Sequence, residues 1–121
     1  MTAEANDRIV RDFLLLWEQR DVEGLVVACT DDAVWHHRPL PPEIGRDAIR
    51  AFCERFENVP GGPYEILHQV AGDQFVFNER LDRVTVGSGL IELPVCAVFE
   101  IEDGRIKAWR DYFDTGGIAN R

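Results

Sequence analysis

Two hydrophobic periods divide the chain. Over residues 7–20 apolar side chains recur at helical spacing. Ile9, Phe13 and Leu16 follow one ridge with Val10, Leu14 and Trp17 beside it, a broad stripe suited to covering a sheet. Asp21 stands where an N-cap belongs for a short helix over residues 22–29, with Glu23 in its first turn and a helix-weakening Gly24 inside. Residues 33–36 read as a short strand. The three prolines in residues 38–45 lack the amide proton a ladder needs, so this segment is expected to be a stiff, shaped loop. Helical spacing returns over residues 46–56, where Ile49, Phe52, Cys53 and Phe56 share a face, and the glycines and prolines of residues 58–63 end it.

From residue 64 the period changes to two. Strands are predicted over residues 64–70, 74–86, 90–101 and 105–113, separated by turns at Gly72-Asp73, Gly87-Ser88-Gly89 and Glu102-Asp103-Gly104. Pro94 within the third of these implies a bulge, an irregular start or an edge position. The tail, residues 115–121, is expected to be irregular. Helices first and an antiparallel meander afterwards make an α+β fold, read as a single domain over residues 1–121. Such a sheet buries one face under its helices; strongly curved, it would wrap around them and leave a cavity open at one end.

Composition narrows the function classes. Twenty-two acidic residues against 13 basic ones give a net charge of -9, which argues against nucleic acid or an anionic membrane surface as a partner. The first ten residues carry no apolar run of the signal-peptide kind, and no apolar stretch is long enough to span a bilayer. Cys29, Cys53 and Cys96 are widely spaced among apolar neighbours with no CxxC pair, which fits buried thiols in a reducing, cytoplasmic compartment. Gly61-Gly62 and Gly116-Gly117 lack the context of a nucleotide-binding loop, and the G-x-S-x-G of a serine nucleophile is missing. His36 and His37 are adjacent in a strand-like segment and point to opposite sides, a poor metal site; His68 reads as structural.

The candidate chemistry lies on the later strands. Alternation puts Val76, Asn78, Arg80, Asp82, Val84 and Val86 on one face, and Phe75, Phe77, Glu79, Leu81, Arg83 and Thr85 on the other. In the last strand Trp109, Asp111 and Phe113 share a face opposite Arg110 and Asp114. A carboxylate in an apolar pocket resists ionising, and beside a second carboxylate one of the two tends to keep a proton. With a guanidinium holding both, Arg80, Asp82 and Asp111 would offer an acid and a base together at neutral pH. An Arg-x-Asp pair on a strand is also the ordinary form of a solvated face. Glu79, Arg83, Arg110 and Asp114 have nearly the same local warrant, and alternation does not choose between the faces.

Three segments make the choice. HHRPLPPEIGRDAI (residues 36–49), NERLDR (residues 78–83) and ELPVCAVFEIEDGRIKAWRDYFD (residues 92–114) resemble the limonene-1,2-epoxide hydrolase family, and the likeness runs from about residue 30 to 114. That family sits in a wider fold group with nuclear transport factor 2, SnoaL-type polyketide cyclases and ketosteroid isomerase. The resemblance implies N-terminal helices packed in a strongly curved, cone-shaped, mixed but mostly antiparallel sheet that encloses a pocket. It also implies one-step hydrolysis of a small or medium apolar epoxide to a vicinal diol, with no cofactor and no metal. Carried over, Asp82 would be the general acid, Asp111 the base that activates water, and Arg80 the bridge between them. Trp109, Trp35, Leu40 and Phe13 would line the substrate pocket, and a homodimer packed through the outer sheet face is expected.

One position pair departs from the family. Where the family uses a tyrosine and an asparagine to orient the water, this chain has Trp35 and His37. Tryptophan has only an N–H to donate, whereas histidine can replace some of the hydrogen bonding of asparagine. Water would be held by Asp111 and His37, with Trp35 as a wall. The departure keeps open an isomerase or cyclase of the same fold, with a carboxylate or His37 removing a proton next to a carbonyl. A non-catalytic binder of small apolar ligands is the remaining alternative.

Overall fold

In a computed structural model, which describes residues 2–87 and 89–116, the helices come first and the sheet follows. Helix α1 (Ala3–Glu18) starts where the Thr2 hydroxyl accepts the Ala5 N–H at 3.1 Å, and it turns Val10, Phe13, Leu14 and Trp17 inward. Helix α2 (Val22–Val27) is capped by Asp21, whose carboxylate accepts the Gly24 N–H at 3.0 Å. A Cβ on Gly24 would lie 2.6 Å from that carboxylate, so any other residue here would have to displace the capping side chain. Strand β1 (Cys29–Arg38) begins earlier than the pattern predicted. After the proline-rich turn come a two-residue strand, β2 (Glu43–Ile44), and helix α3 (Arg46–Phe56). Gly45 joins them at φ +88°, backbone that side-chain-bearing residues rarely adopt. Strands β3 (Glu65–Ala71), β4 (Phe75–Val86), β5 (Gly89–Glu102) and β6 (Arg105–Tyr112) complete the fold.

The sheet order is β2-β1-β6-β5-β4-β3. The expected meander of the last four strands is present, and β1 joins it by parallel pairing with β6, so the sheet is mixed. The cone-shaped, strongly curved sheet expected from the resemblance is not what forms. The six strands make an open sheet with β2 and β3 as separate edges. A strand of two residues, bounded by prolines before and by the start of α3 after, offers no ladder on which the sheet could close. Pro94 occupies an edge position, because β6 ends at Tyr112 opposite Cys96 and leaves Pro94 paired only toward β4.

The helices cover one sheet face. Phe13 of α1 sits edge-on to Trp109 at 5.3 Å and to Trp35 at 5.7 Å, and each such pair contributes about 0.5–1.5 kcal/mol beyond its buried area. Cys29 and Cys53 are buried, and burial pushes their thiols up to about 11 and about 12 respectively. Cys96, expected to be buried as well, is exposed: Val95 and Ala97 take the inner face of β5, which turns residue 96 outward. Residues 117–121 of the tail, and Ser88 of the expected glycine turn, lie outside the described residues. Among the described residues no helix is long and apolar enough to cross a membrane.

Candidate active site

Register brings the candidate residues into one place. Across the sheet, Asn78, Ala97 and Asp111 are successive partners on β4, β5 and β6, and His37 of β1 pairs with Asp111. Arg80 and Asp82 follow Asn78 on the same inner face, and Trp35 pairs with Trp109 one step away. Adjacent strands lie about 4.8 Å apart, so β4 and β6 are separated by about 10 Å, a gap that a long guanidinium side chain can bridge. The intervening Ala97 is small and buried.

Arg80 is 0% exposed and bridges both carboxylates. Its Nε and Nη2 each donate to Asp82 at 2.9 Å, and Nη2 also donates to the two oxygens of Asp111 at 3.2 and 3.1 Å. Nη1 donates to Asn78 Oδ1 at 3.0 Å. The Asn78 amide donates in turn to Gln69 at 3.0 Å, and Gln69 donates to the Asp7 carboxylate at 2.8 Å, a chain that ends on α1. Asp111 accepts a second donor, the Trp109 indole N–H at 2.6 Å. His37 Nε2 stands 3.7 Å from Asp111 Oδ2, and its ring stacks on Phe52 at 5.0 Å. That separation is too long for a direct hydrogen bond and suits a shared water.

The electrostatics favour a proton on Asp82. Burial raises the Asp82 pKa above the usual carboxylate value, the Arg80 guanidinium pulls it down less strongly, and the negative charge of Asp111 adds to the rise. Burial alone would lower the Arg80 pKa, but Asp111 and Asp82 hold it above its usual value. His37 is held below its ordinary value, first by burial, against the opposing pull of Asp111, and is therefore neutral near pH 7. With one proton on Asp82 the buried triad is neutral overall; with none it carries an uncompensated negative charge.

A cavity of about 260 Å³ opens over this triad. Asp82, Asp111, His37, Trp109 and Leu40 line it. Trp35 and Phe13 do not. Trp35 is 0% exposed, 4.9 Å behind Trp109, and its indole N–H donates to the Cys29 sulfur at 3.4 Å. Phe13 lies in the core beside it. The other lining residues include Trp17, Phe52, Phe56, Tyr64, Leu93 and Phe113, drawn from α1, α3, β5 and the residues flanking β3 and β6. Only their apolar helical and strand positions marked these residues as buried, and nothing local separates a cavity wall from packed core. Asn78 was legible as a neighbour of Arg80 on the same face, but not as its partner.

The residues with equal local warrant lie elsewhere. Glu79 pairs with His68 at 2.9 Å, Arg83 with Glu92 at 2.7 Å and with Glu65 at 3.3 Å, and Arg110 with Glu100. Asp114 caps the Gly116 N–H at 2.8 Å. His36 points to the opposite side of β1 from His37, beside Val34 and Arg110. Among the described residues no group of three or more His, Cys, Asp or Glu side chains is arranged to hold a metal ion.

A family model described as the limonene-1,2-epoxide hydrolase catalytic domain matches residues 4–120. Epoxide hydrolase EphG of Mycobacterium tuberculosis (strain ATCC 25618 / H37Rv) is 32% identical over 107 residues, which cover 87% of this chain and 70% of EphG. A solved LEH-like epoxide hydrolase of M. tuberculosis superimposes with a TM-score of 0.85 at 31% identity, covering 98% of this chain and 89% of that one. Bal32a, from a soil-derived mobile gene cassette, shares the fold with a TM-score of 0.81 at 24% identity, covering 97% of this chain and 95% of its own.

Proposed function

The chain belongs to the limonene-1,2-epoxide hydrolase family and is an LEH-like epoxide hydrolase, and from that premise we propose that it adds water in one step to a small or medium apolar epoxide, with Asp82 as acid and Asp111 as base. Neutral Asp82 gives its proton to the oxirane oxygen as the C–O bond breaks. The water oxygen forms the new bond to carbon and passes a proton to Asp111. Asp82 is left ionised and Asp111 protonated, and exchange with solvent restores both. Arg80 holds the two carboxylates in place and keeps its own proton throughout.

The observation that carries this reading is the fully buried Arg80, hydrogen-bonded to both carboxylates at once. A site that only bound apolar ligands would gain nothing from burying three charged groups, each costly away from water. The raised pKa of Asp82 suits an acid, and the Trp109 and Arg80 donors on Asp111 suit an anionic base. Because the Trp35 N–H is engaged by Cys29, His37 and Asp111 remain to hold the water. The aromatic and aliphatic lining supports an apolar substrate, and about 260 Å³ suits a small or medium one.

The same proposal includes a homodimer and a cytoplasmic protein. Val70, Phe75, Phe77 and Tyr112 are exposed together on the outer face of β3 to β6, an apolar patch that a second copy would cover. The unpaired thiols suit a reducing compartment. The deciding experiment is chirally resolved diol formation from a panel of cyclic and terpene epoxides, beside the Asp82→Asn variant. Diol from the wild type and none from the variant supports the acid assignment. A first turnover in labelled water should put the label in the diol; unlabelled first product would mean a covalent intermediate and refute the one-step reading.

A further inference from the structure

Of the two hydroxyls lining the cavity among the described residues, Thr85 and Tyr64, neither is used by the two-carboxylate scheme. Among the polar lining groups, the Trp109 N–H is engaged by Asp111, the Trp17 N–H by Tyr64, and the Thr85 hydroxyl by the Pro60 carbonyl. His37 belongs to the Asp111 end of the site. The Tyr64 hydroxyl differs from these. It accepts the Trp17 N–H at 2.5 Å, and among the hydrogen bonds of the described residues its own proton goes to no protein group.

Tyr64 also stands at the acid end. Tyr64 immediately precedes β3, whose first residue Glu65 faces Leu81, the neighbour of Asp82, and Tyr64 lines the cavity together with Asp82. The Gly62 N–H donates to the Arg83 carbonyl at 3.2 Å, which keeps the segment before β3 against β4. The Tyr64 ring lies 5.7 Å from the Arg80 guanidinium carbon. Helix α1 holds this tyrosine at both ends: Glu18 accepts its backbone N–H at 2.5 Å, and Trp17 donates to its hydroxyl. A hydroxyl that accepts one hydrogen bond is polarised into a better donor of the next. Burial, and then the charge of Asp82, raise its pKa, so it keeps its proton through the reaction.

We infer that Tyr64 is a further catalytic residue, donating a hydrogen bond to the oxirane oxygen beside Asp82 as that oxygen gains negative charge. The inference rests on the epoxide hydrolase reading above. Asp82 transfers its proton, while Tyr64 only donates a hydrogen bond and ends each turnover unchanged. The site then has a two-group end for each partner: Asp82 and Tyr64 for the oxygen that leaves carbon, Asp111 and His37 for the water that arrives.

The test is Tyr64→Phe, assayed for kcat and KM on epoxides that wild type hydrolyses. Loss of one preorganised donor to a developing oxyanion predicts a fall in kcat of about 10- to 100-fold, with KM changed less than about threefold. The fall should be larger for alkyl epoxides, whose departing oxygen is more basic, than for epoxides bearing electron-withdrawing groups. A purely structural tyrosine would lower the rate equally for all substrates. Tyr64→Phe also leaves the Trp17 N–H without its partner, so the comparison is repeated in the Trp17→Phe background, where no orphaned donor remains. The same substrate-graded loss there supports the inference; an unchanged kcat, or an equal loss for every substrate, overturns it and leaves the hydrolase reading standing. No diol from wild type with any epoxide overturns both.

Discussion

Asn78→Ala tests whether the buried arginine is held or merely accommodated. Asn78 is 6% exposed and Arg80 is 0% exposed, so no water is at hand to replace the lost acceptor of Nη1. A buried hydrogen bond to a charged group contributes about 1.5–3 kcal/mol, and the broken Asn78–Gln69 link adds about 0.5–1 kcal/mol. Together these predict a loss of about 3 kcal/mol in unfolding free energy, or roughly 10 °C in Tm for a chain of this length. The guanidinium keeps its bonds to Asp82 and Asp111 but loses the one that anchors Nη1, and small displacements of reacting groups are costly, so kcat should fall at least about tenfold at temperatures where the variant is folded. Urea unfolding and initial rates on one epoxide measure both. Gln69→Ala, which leaves the Asn78–Arg80 bond intact but loses the part-buried bonds of Gln69 to Asn78 and Asp7, should cost less than Asn78→Ala, about 1–2 kcal/mol. An Asn78→Ala protein that unfolds within about a degree of wild type at unchanged kcat would refute the claim that Asn78 positions Arg80.

His37→Ala should lower turnover far more than stability, because it removes a water ligand from a ring that is already partly open to the cavity; equal turnover would remove His37 from the mechanism. His37 also sets a stability slope. Its folded pKa lies below the usual histidine value of about 6.5, so the unfolded chain binds more protons as the pH falls from there, and stability is lost as the pH falls toward and through the folded value. Urea midpoints followed downward from pH 7 should decline less in His37→Gln than in wild type. Asp82 acts in the opposite sense: its raised pKa means that the active, protonated form is present at lower pH, so kcat/KM should fall on the alkaline side as Asp82 ionises. Activity rising with that ionisation would overturn its role as acid. Phe77→Asp, at a side chain 53% exposed on the outer sheet face, should turn a dimer into a monomer by light scattering; a wild-type monomer would refute the dimer directly.

The amino-acid sequence by itself determined the elements and the chemistry on offer. The helical stripe from Ile9 to Trp17, the period of two after residue 64 and the turn residues between strands all depend on neighbours a few positions apart, which is why they could be read in order along the chain. The proline-rich segment and the WRDYFD ending carried the family likeness that singled out Arg80, Asp82 and Asp111, which hydrophobicity did not. On β4, Phe75 and Phe77 turn outward while Arg80 and Asp82 turn in, the reverse of what apolar preference suggests. Alternation left that face open and the family likeness chose it; tertiary structure supplies the physical reason. The guanidinium is tolerable inside because Asp111, 31 residues away in sequence, comes within hydrogen-bonding reach across β5. The same holds for the open sheet, set by a β2 too short to pair further, for Trp35 behind the cavity wall rather than on it, and for Tyr64 on the cavity wall with Asp82. Each depends on register between distant strands, and register is an outcome of packing that no local pattern records.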